Sequence, residues 1–291
     1  MEGKGRITGH TGLLALIGFP VGHSGSPAMY NYSFEKLGLD YAYVAFDIKV
    51  EEVKAALDAM RLFHMRGCNV TMPCKTEAAK YMDELSPAAR IIGAVNTIVN
   101  EDGKLIGHMT DGEGFVGNLR DHGIEIKGKK ITVAGGGGAA TAIQVQCALD
   151  GAREISIFNI KDDFFERTLE TAEKIRKEVP GIVVNVYDIA DTAKMTEEIQ
   201  SSDIFANATI GGMKPMEKES VVKDTSAFRP GLVVADAVYN PEETRLLREA
   251  KEAGCTCLNG KGMLLWQGVA AFRLYTGEEM PVREVKEKFF Q

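Results

Sequence analysis

The stretch Lys130-Ile131-Thr132-Val133-Ala134-Gly135-Gly136-Gly137-Gly138-Ala139-Ala140 decides the fold. A short apolar strand runs into a glycine block that fits G-x-G-x-x-A, with Gly135, Gly137 and Ala140 at the key positions. Glycine permits the tight turn and lets the backbone approach a pyrophosphate, and a small third residue lets the next helix pack on the sheet. Free N–H groups at that helix start attract phosphates. A lone glycine motif is weak evidence, because a glycine-rich turn can be structural. Here it sits between a predicted strand and a helix predicted from Ala139, which is the context the motif requires.

Past the loop, the strand Ile155–Phe158 ends at Asn159-Ile160-Lys161-Asp162-Asp163. An acidic residue here accepts from a ribose 2′-hydroxyl and repels a 2′-phosphate. Asp162 and Asp163 therefore favour NAD over NADP. Lys161 partly offsets them, and Asp162 lies farther along than the usual spacing of about 20 residues. The plainer reading is that both aspartates cap a helix beginning near Phe164.

The pattern around this unit alternates apolar runs with helical segments, as parallel α/β chains do. Upstream, strands are predicted at Leu13–Gly18, Tyr41–Phe46, Cys68–Thr71 and Ala94–Val99. Helices are predicted from Ser26 (N-cap) and Pro27 to about Leu37, over Glu51–Arg61, and from Ser86-Pro87. Downstream strands are predicted at Val183–Tyr187, Ile204–Asn207, Leu232–Val238 and Thr256–Leu258. A helix starts at Asn240-Pro241 and stops at Gly254, and the tail from Gly262 reads as mostly helical.

Length and composition bound the function. At 291 residues there is room for two domains, each with its own core. A net charge of -7 without blocks of like charge argues against a nucleic-acid surface. No apolar run approaches the roughly 18–20 residues of a membrane helix, and Leu13–Ile17 is too short for a signal peptide. The five cysteines are scattered, and no Cys/His set completes a zinc site. These features suggest a reduced, cytoplasmic protein without a structural metal.

Several polar motifs then stand out. Lys75 follows the strand residues Asn69-Val70-Thr71 across a proline-bearing loop, so Thr71 and Lys75 belong at a strand's C-terminal end, where open α/β sheets bind ligands. Asp111 lies in Thr110-Asp111-Gly112. Alone, the lysine reads as a solvated surface group and the aspartate as a turn residue. Gly93-Ala94-Val95-Asn96-Thr97 lies between them, and His23-Ser24-Gly25-Ser26-Pro27 lies near the start. Together they offer hydroxyls, an amide, an ammonium and a carboxylate. His23 reads as a structural residue of the serine loop rather than an acid–base group.

With Asn207-Ala208-Thr209, Gly212-Met213, Val238-Tyr239-Asn240-Pro241 and Gly262-Met263-Leu264 with Gln267, these motifs run nearly end to end. In that order the chain resembles the shikimate dehydrogenase family. Lys214-Pro215 and Leu264-Leu265-Trp266-Gln267 look closest to its quinate/shikimate branch. The resemblance implies an α/β chain of two parts with a cleft between them. One is an N-terminal substrate domain (residues 1–111 with 261–291), the other a Rossmann-like, doubly wound dinucleotide domain (112–260). It implies that Lys75 and Asp111 form the catalytic pair. Ser24 and Ser26 would hold a substrate carboxylate, and Thr71, Asn96 and Gln267 the ring hydroxyls. Gly136, Gly137, Gly138, Ala139, Asn159, Lys161, Asp162, Thr209, Met213, Ala237, Val238, Tyr239, Asn240, Gly260 and Met263 would border the dinucleotide.

The implied reaction is reversible NAD(P)-dependent hydride transfer between shikimate and 3-dehydroshikimate, or quinate and 3-dehydroquinate, in aromatic amino acid biosynthesis. Lys75 would move the hydroxyl proton. A homodimer is also what the resemblance suggests. The family pattern is broken at Gly25, where Leu or Lys is usual, at Met109, where Asn is usual, and at Ile160, where NADP-using members often carry arginine. Ile210 replaces a lysine that can contact the cofactor. Gly25 and Met109 leave open a related cyclic hydroxyacid such as an amino-shikimate. A non-catalytic metabolite sensor of the same fold is the rival from another class, although a sensor has no need of Lys75 and Asp111.

Overall fold

Short apolar strands alternate with amphipathic helices along most of the chain, and the computed structural model describes residues 7–162 and 165–290. The elements are β1 (Gly12–Gly18), α1 (Ser26–Leu37), β2 (Tyr41–Asp47), α2 (Val53–Leu62), β3 (Gly67–Val70), α3 (Lys75–Ala79), β4 (Glu84–Leu85), α4 (Pro87–Ile92), β5 (Thr97–Glu101) and β6 (Lys104–His108). They continue as α5 (Asp111–Asp121), β7 (Lys130–Ala134), α6 (Gly138–Leu149), β8 (Glu154–Asn159), α7 (Phe165–Glu178), β9 (Val183–Asp188), α8 (Thr192–Ser201) and β10 (Ile204–Asn207). The last are β11 (Val233–Asp236), α9 (Arg245–Glu252), β12 (Thr256–Leu258), α10 (Gly260–Thr276) and α11 (Val282–Phe289). The chain divides into two units, Met1–Thr110 with Gly268–Gln291, and Asp111–Gln267. The sequence reading put the second division at 260/261. The structure puts it inside α10, because the first turns of that helix pack on α5: a Cβ on Gly114 would come within 2.5 Å of Met263 O and 2.6 Å of Gln267 N.

The first unit holds a six-stranded sheet in the order β2-β1-β3-β5-β6-β4. It is mixed rather than parallel, since β5 runs antiparallel to both β3 and β6. The expected strand Ala94–Val99 begins instead at Thr97, and Gly93 ends α4 with φ 74°. The reversal into β6 is made at Asp102-Gly103, both at positive φ (52° and 95°). Asp-Gly between strands is the sequence signature of such a two-residue hairpin turn. The core of this unit is aromatic. Tyr30 stacks on Tyr43 at 4.5 Å, and Phe34 on Phe272 at 5.4 Å, so the end of α10 fills the layer over β1 and β2.

The second unit holds six parallel strands in the order β12-β11-β10-β7-β8-β9. The chain starts at the centre with β7, moves out to β9, then returns to β10 beside β7 and moves out the other way. Strand order therefore reverses between β7 and β10, which is the doubly wound dinucleotide fold. Strands buried on both faces read as unbroken apolar runs, and Ile131, Val133, Ile155, Ile157, Phe205 and Val234 are fully buried. The helix expected from Asn240 starts later, with Thr244 as its N-cap accepting from Leu247 N. Among the described residues, no helix is long and apolar enough to cross a membrane.

Candidate active site

In the first unit the candidate residues share one end of the sheet, beyond the C-terminal ends of β1 and β3 and just before the antiparallel β5. The serine loop follows β1. Helix α1 begins at Ser26 with Gly25 as N-cap, one residue earlier than expected, and Ser24 Oγ accepts from Ser26 N at 3.2 Å. Two hydroxyls thus flank the N-terminus of a 12-residue helix, where N–H groups and the helix dipole favour an anion. A Cβ on Gly25 would meet nothing within 4 Å, so that departure from the family pattern leaves open space. Met109, the second departure, is buried.

Thr71 and Lys75 follow β3, and both are half-buried. Their loop is pinned on both sides: Thr71 N donates to Ile17 O, Phe19 N to Met72 O, and Val95 N to Lys75 O. Lys75 opens α3. Asn96 is buried just before β5, with its amide turned onto Thr110, so it is a framework residue as well as a candidate ligand group.

In the second unit Asp111 is the first residue of α5, half-buried, rather than a turn residue. Gln267 lies on α10 and donates to Leu264 O at 3.2 Å. The glycine block behaves as two halves. Gly135 has φ 122°, and a Cβ there would press on Ala208 O at 2.7 Å. A Cβ on Gly136 would strike the Asn159 side chain, itself bonded to Thr168 Oγ1 at 2.9 Å. Ala140 is fully buried, as the small third position requires. Gly137 and Gly138, by contrast, have nothing within 4 Å of a built Cβ. The protein gives no packing reason for their smallness, and with Ala139 they are exposed where α6 begins. Exposed N–H groups on a bare glycine edge suit a pyrophosphate.

Beyond the loop, large apolar side chains stand exposed after three of the strands: Ile160 after β8, Ile210 and Met213 after β10, and Tyr239 after β11. Ala237 and Val238 lie between Tyr239 and β11, Asn240 is exposed, and Met263 is half-buried on α10. Gly260 is forced by a close crossing, since a Cβ there would collide with Ala237 O. Thr209 donates to Asn207 Oδ1 at 2.7 Å.

One residue here escaped the sequence reading. Asp236 is buried at the end of β11 and accepts from Asn207 Nδ2 (2.9 Å), Thr244 Oγ1 (2.7 Å) and Val238 N (3.0 Å). It ties the loop after β10 to the loop after β11. Burial raises its carboxyl above the usual range despite those three donors. Its only sequence signal is an acid closing the apolar run Leu232–Ala235. Among the described residues no group of three or more His, Cys, Asp or Glu could hold a metal ion.

A family model for the shikimate dehydrogenase substrate binding domain matches residues 16–98, and one for the shikimate 5'-dehydrogenase C-terminal domain matches 260–288. A curated shikimate dehydrogenase (NADP(+)) of Listeria monocytogenes is 52% identical over 285 residues, covering 98% of each chain. The chain belongs to the shikimate dehydrogenase family. The crystal structure of shikimate 5-dehydrogenase from Listeria monocytogenes with shikimate and NAD superposes with a TM-score of 0.94 at 51% identity, covering 98% of each chain. Quinate dehydrogenase from Corynebacterium glutamicum, in complex with NAD, has a TM-score of 0.85 at 30% identity, covering 96% of this chain and 99% of that one. The quinate enzyme is thus the more distant relative.

These findings correct one expectation. The aspartates after β8 pointed to NAD, yet curated relatives at 49–52% identity are named for NADP(+). The structure shows why Asp162 carries little weight in that choice. Asp162 belongs to the turn that opens α7, its N–H donating to Ile160 O and its carbonyl accepting from Phe165 N. It is exposed, so its charge is screened by water. Lys161 and Arg167 are exposed on the same segment, beside exposed Glu166, so the charges there are mixed. Asp163 lies outside the described residues.

Proposed function

We propose that this chain catalyses reversible hydride transfer between the ring alcohol of shikimate and NADP. The observation that carries the reading is the pairing of an end-to-end likeness to shikimate dehydrogenases with an unfilled glycine edge at Gly137 and Gly138 where α6 begins. The relatives' names favour an enzyme over a sensor.

The dinucleotide, when bound, supplies the hydride acceptor. The residues that would hold it are the α6 N-terminus over Gly136–Ala139, the segment Asn159–Asp162, and the loops after β10 and β11 including Thr209, Met213 and Ala237–Asn240. The Gly260–Met263 start of α10 would complete it. Ser24 and Ser26 hold the substrate carboxylate with their hydroxyls. Thr71, Asn96 and Gln267 bind ring hydroxyls. In the oxidative direction Lys75 takes the proton from the reacting hydroxyl, and in reduction its ammonium returns it. Asp111 binds the neighbouring hydroxyl.

Lys75→Ala tests the assignment. Turnover should fall by about 10²–10⁴-fold while dinucleotide binding is kept. Turnover that survives the substitution removes Lys75 from the chemistry.

A further inference from the structure

A row of polar side chains crosses the buried sheet of the first unit, where apolar residues would pack as well. Tyr43 on β2 donates its hydroxyl to Asn69 Oδ1 on β3 at 2.7 Å. Asn69 Nδ2 donates to Thr97 Oγ1 on β5 at 3.0 Å, and the two residues face each other in register. Thr97 donates to Asn96 Oδ1 at 3.0 Å. Asn96 Oδ1 also accepts from Thr110 N at 2.8 Å, and Asn96 Nδ2 donates to Thr110 Oγ1 at 3.0 Å. All five residues are buried, and Thr97 and Thr110 have no exposed surface.

The row has one direction. The Thr110 backbone N–H can only donate, so the Asn96 amide oxygen must face it and the amide nitrogen must face the Thr110 hydroxyl. The Asn69 amide nitrogen must face the Asn96 carbonyl, which can only accept (3.2 Å), and from there it also donates to Thr97 Oγ1. Asn69 then turns its oxygen to Tyr43, whose phenol donates. No amide in the row can flip without leaving buried groups unpaired, which is costly in a dry sheet. The row ends at Asn96 and at Thr110, the residue before Asp111.

We infer that Tyr43, Asn69 and Thr97 are positioning residues, which fix the Asn96 amide and the Thr110 backbone so that the site is held in one orientation. This deepens the dehydrogenase reading and rests on it. Thr97 is the link whose loss is cleanest, because Thr97→Val keeps shape and burial while removing the hydroxyl, and Thr97→Ser keeps the hydroxyl.

The test compares wild type, Thr97→Val and Thr97→Ser in shikimate-dependent NADP reduction, with folding checked by circular dichroism. In Thr97→Val, kcat/KM for shikimate should fall on the order of 10- to 100-fold, as small misplacements of reacting groups do. KM for NADP should be unchanged, and Thr97→Ser should recover most of the loss. If folded Thr97→Val matches wild type, or if Thr97→Ser is as impaired as Thr97→Val, the inference is overturned. If Thr97→Val does not fold, Tyr43→Phe removes the far donor alone. A several-fold fall in kcat/KM for shikimate at constant KM for NADP then supports the inference, and wild-type values overturn it. A wild type inactive on shikimate would instead sink the reaction assignment, which keeps the two failures apart.

Discussion

Asp236 shows how one buried side chain can shape a ligand site without touching chemistry. Three donors converge on it from Asn207, Val238 and Thr244. Removing the acceptor leaves each of them unpaired in the interior, at about 1–3 kcal/mol apiece. Asp236→Ala should therefore loosen the loops after β10 and β11 together. The expected outcome is KM for NADP raised by roughly 10-fold, equivalent to about 1.4 kcal/mol, with a smaller change in KM for shikimate. Equal change in both constants in steady-state kinetics would count against this role. Residues of this kind were hard to read in the sequence. Lys75, Asp111 and the glycines stand in motifs, whereas Asp236 is a single acid after an apolar run, and its partners come from two other segments. Asp162 failed in the opposite way. Its type, though not its spacing, matched a rule for ribose recognition, but an exposed carboxylate in a helix-opening turn carries little of the force the rule assumes.

At the scale of elements, the strands that wind the second unit were legible because each is a short apolar run with turn residues on both sides. β7 and β10 fall where the pattern put them. The first sheet was harder, since β5 and β6 pair through a hairpin whose Asp102-Gly103 turn is a two-residue signal inside a polar stretch. Helix α5 was read only as the start of a new unit. Its glycines explain its closeness to its neighbours. A Cβ on Gly114 would meet the backbone of α10 at Met263 and Gln267, and one on Gly117 would lie 2.9 Å from Trp266 Cβ. Backbone cannot swing aside as a side chain can, so Gly114→Ala should destabilise the protein by about 1–3 kcal/mol through overpacking. Chemical denaturation would show this as a lower midpoint at an unchanged slope. A midpoint equal to wild type would mean that α10 can shift freely.

For the molecule as a whole, acid stability should depend on one buried ion cluster. Glu198 on α8 meets Lys130 at 2.7 Å and Lys194 at 2.9 Å, accepts from Ser156 at 2.7 Å, and is nearly buried. Burial alone would raise its carboxyl. The hydrogen bonds from Lys130, Ser156 and Lys194 outweigh that and hold it at about 2, below its ordinary 4.5. A lowered carboxyl adds stability that is present above its unfolded value and lost as pH falls through the folded one. The stabilisation from Glu198 should therefore fade between pH 4.5 and about 2. Glu198→Ala should lower stability at neutral pH by about 1–3 kcal/mol, because it removes the acceptor of the Lys130 and Ser156 hydrogen bonds while Lys130 keeps Glu154 at 2.9 Å. The same variant should flatten the acid limb of a stability-versus-pH curve. An acid limb unchanged in Glu198→Ala would place the acid sensitivity elsewhere.

The central claim, that this chain oxidises shikimate at the expense of NADP, is tested most directly by initial rates of dinucleotide reduction by the purified protein. Shikimate and quinate would each be paired with NADP and with NAD. The account predicts the highest kcat/KM for shikimate with NADP. A folded protein that binds NADP yet turns over neither acid with either dinucleotide would contradict it.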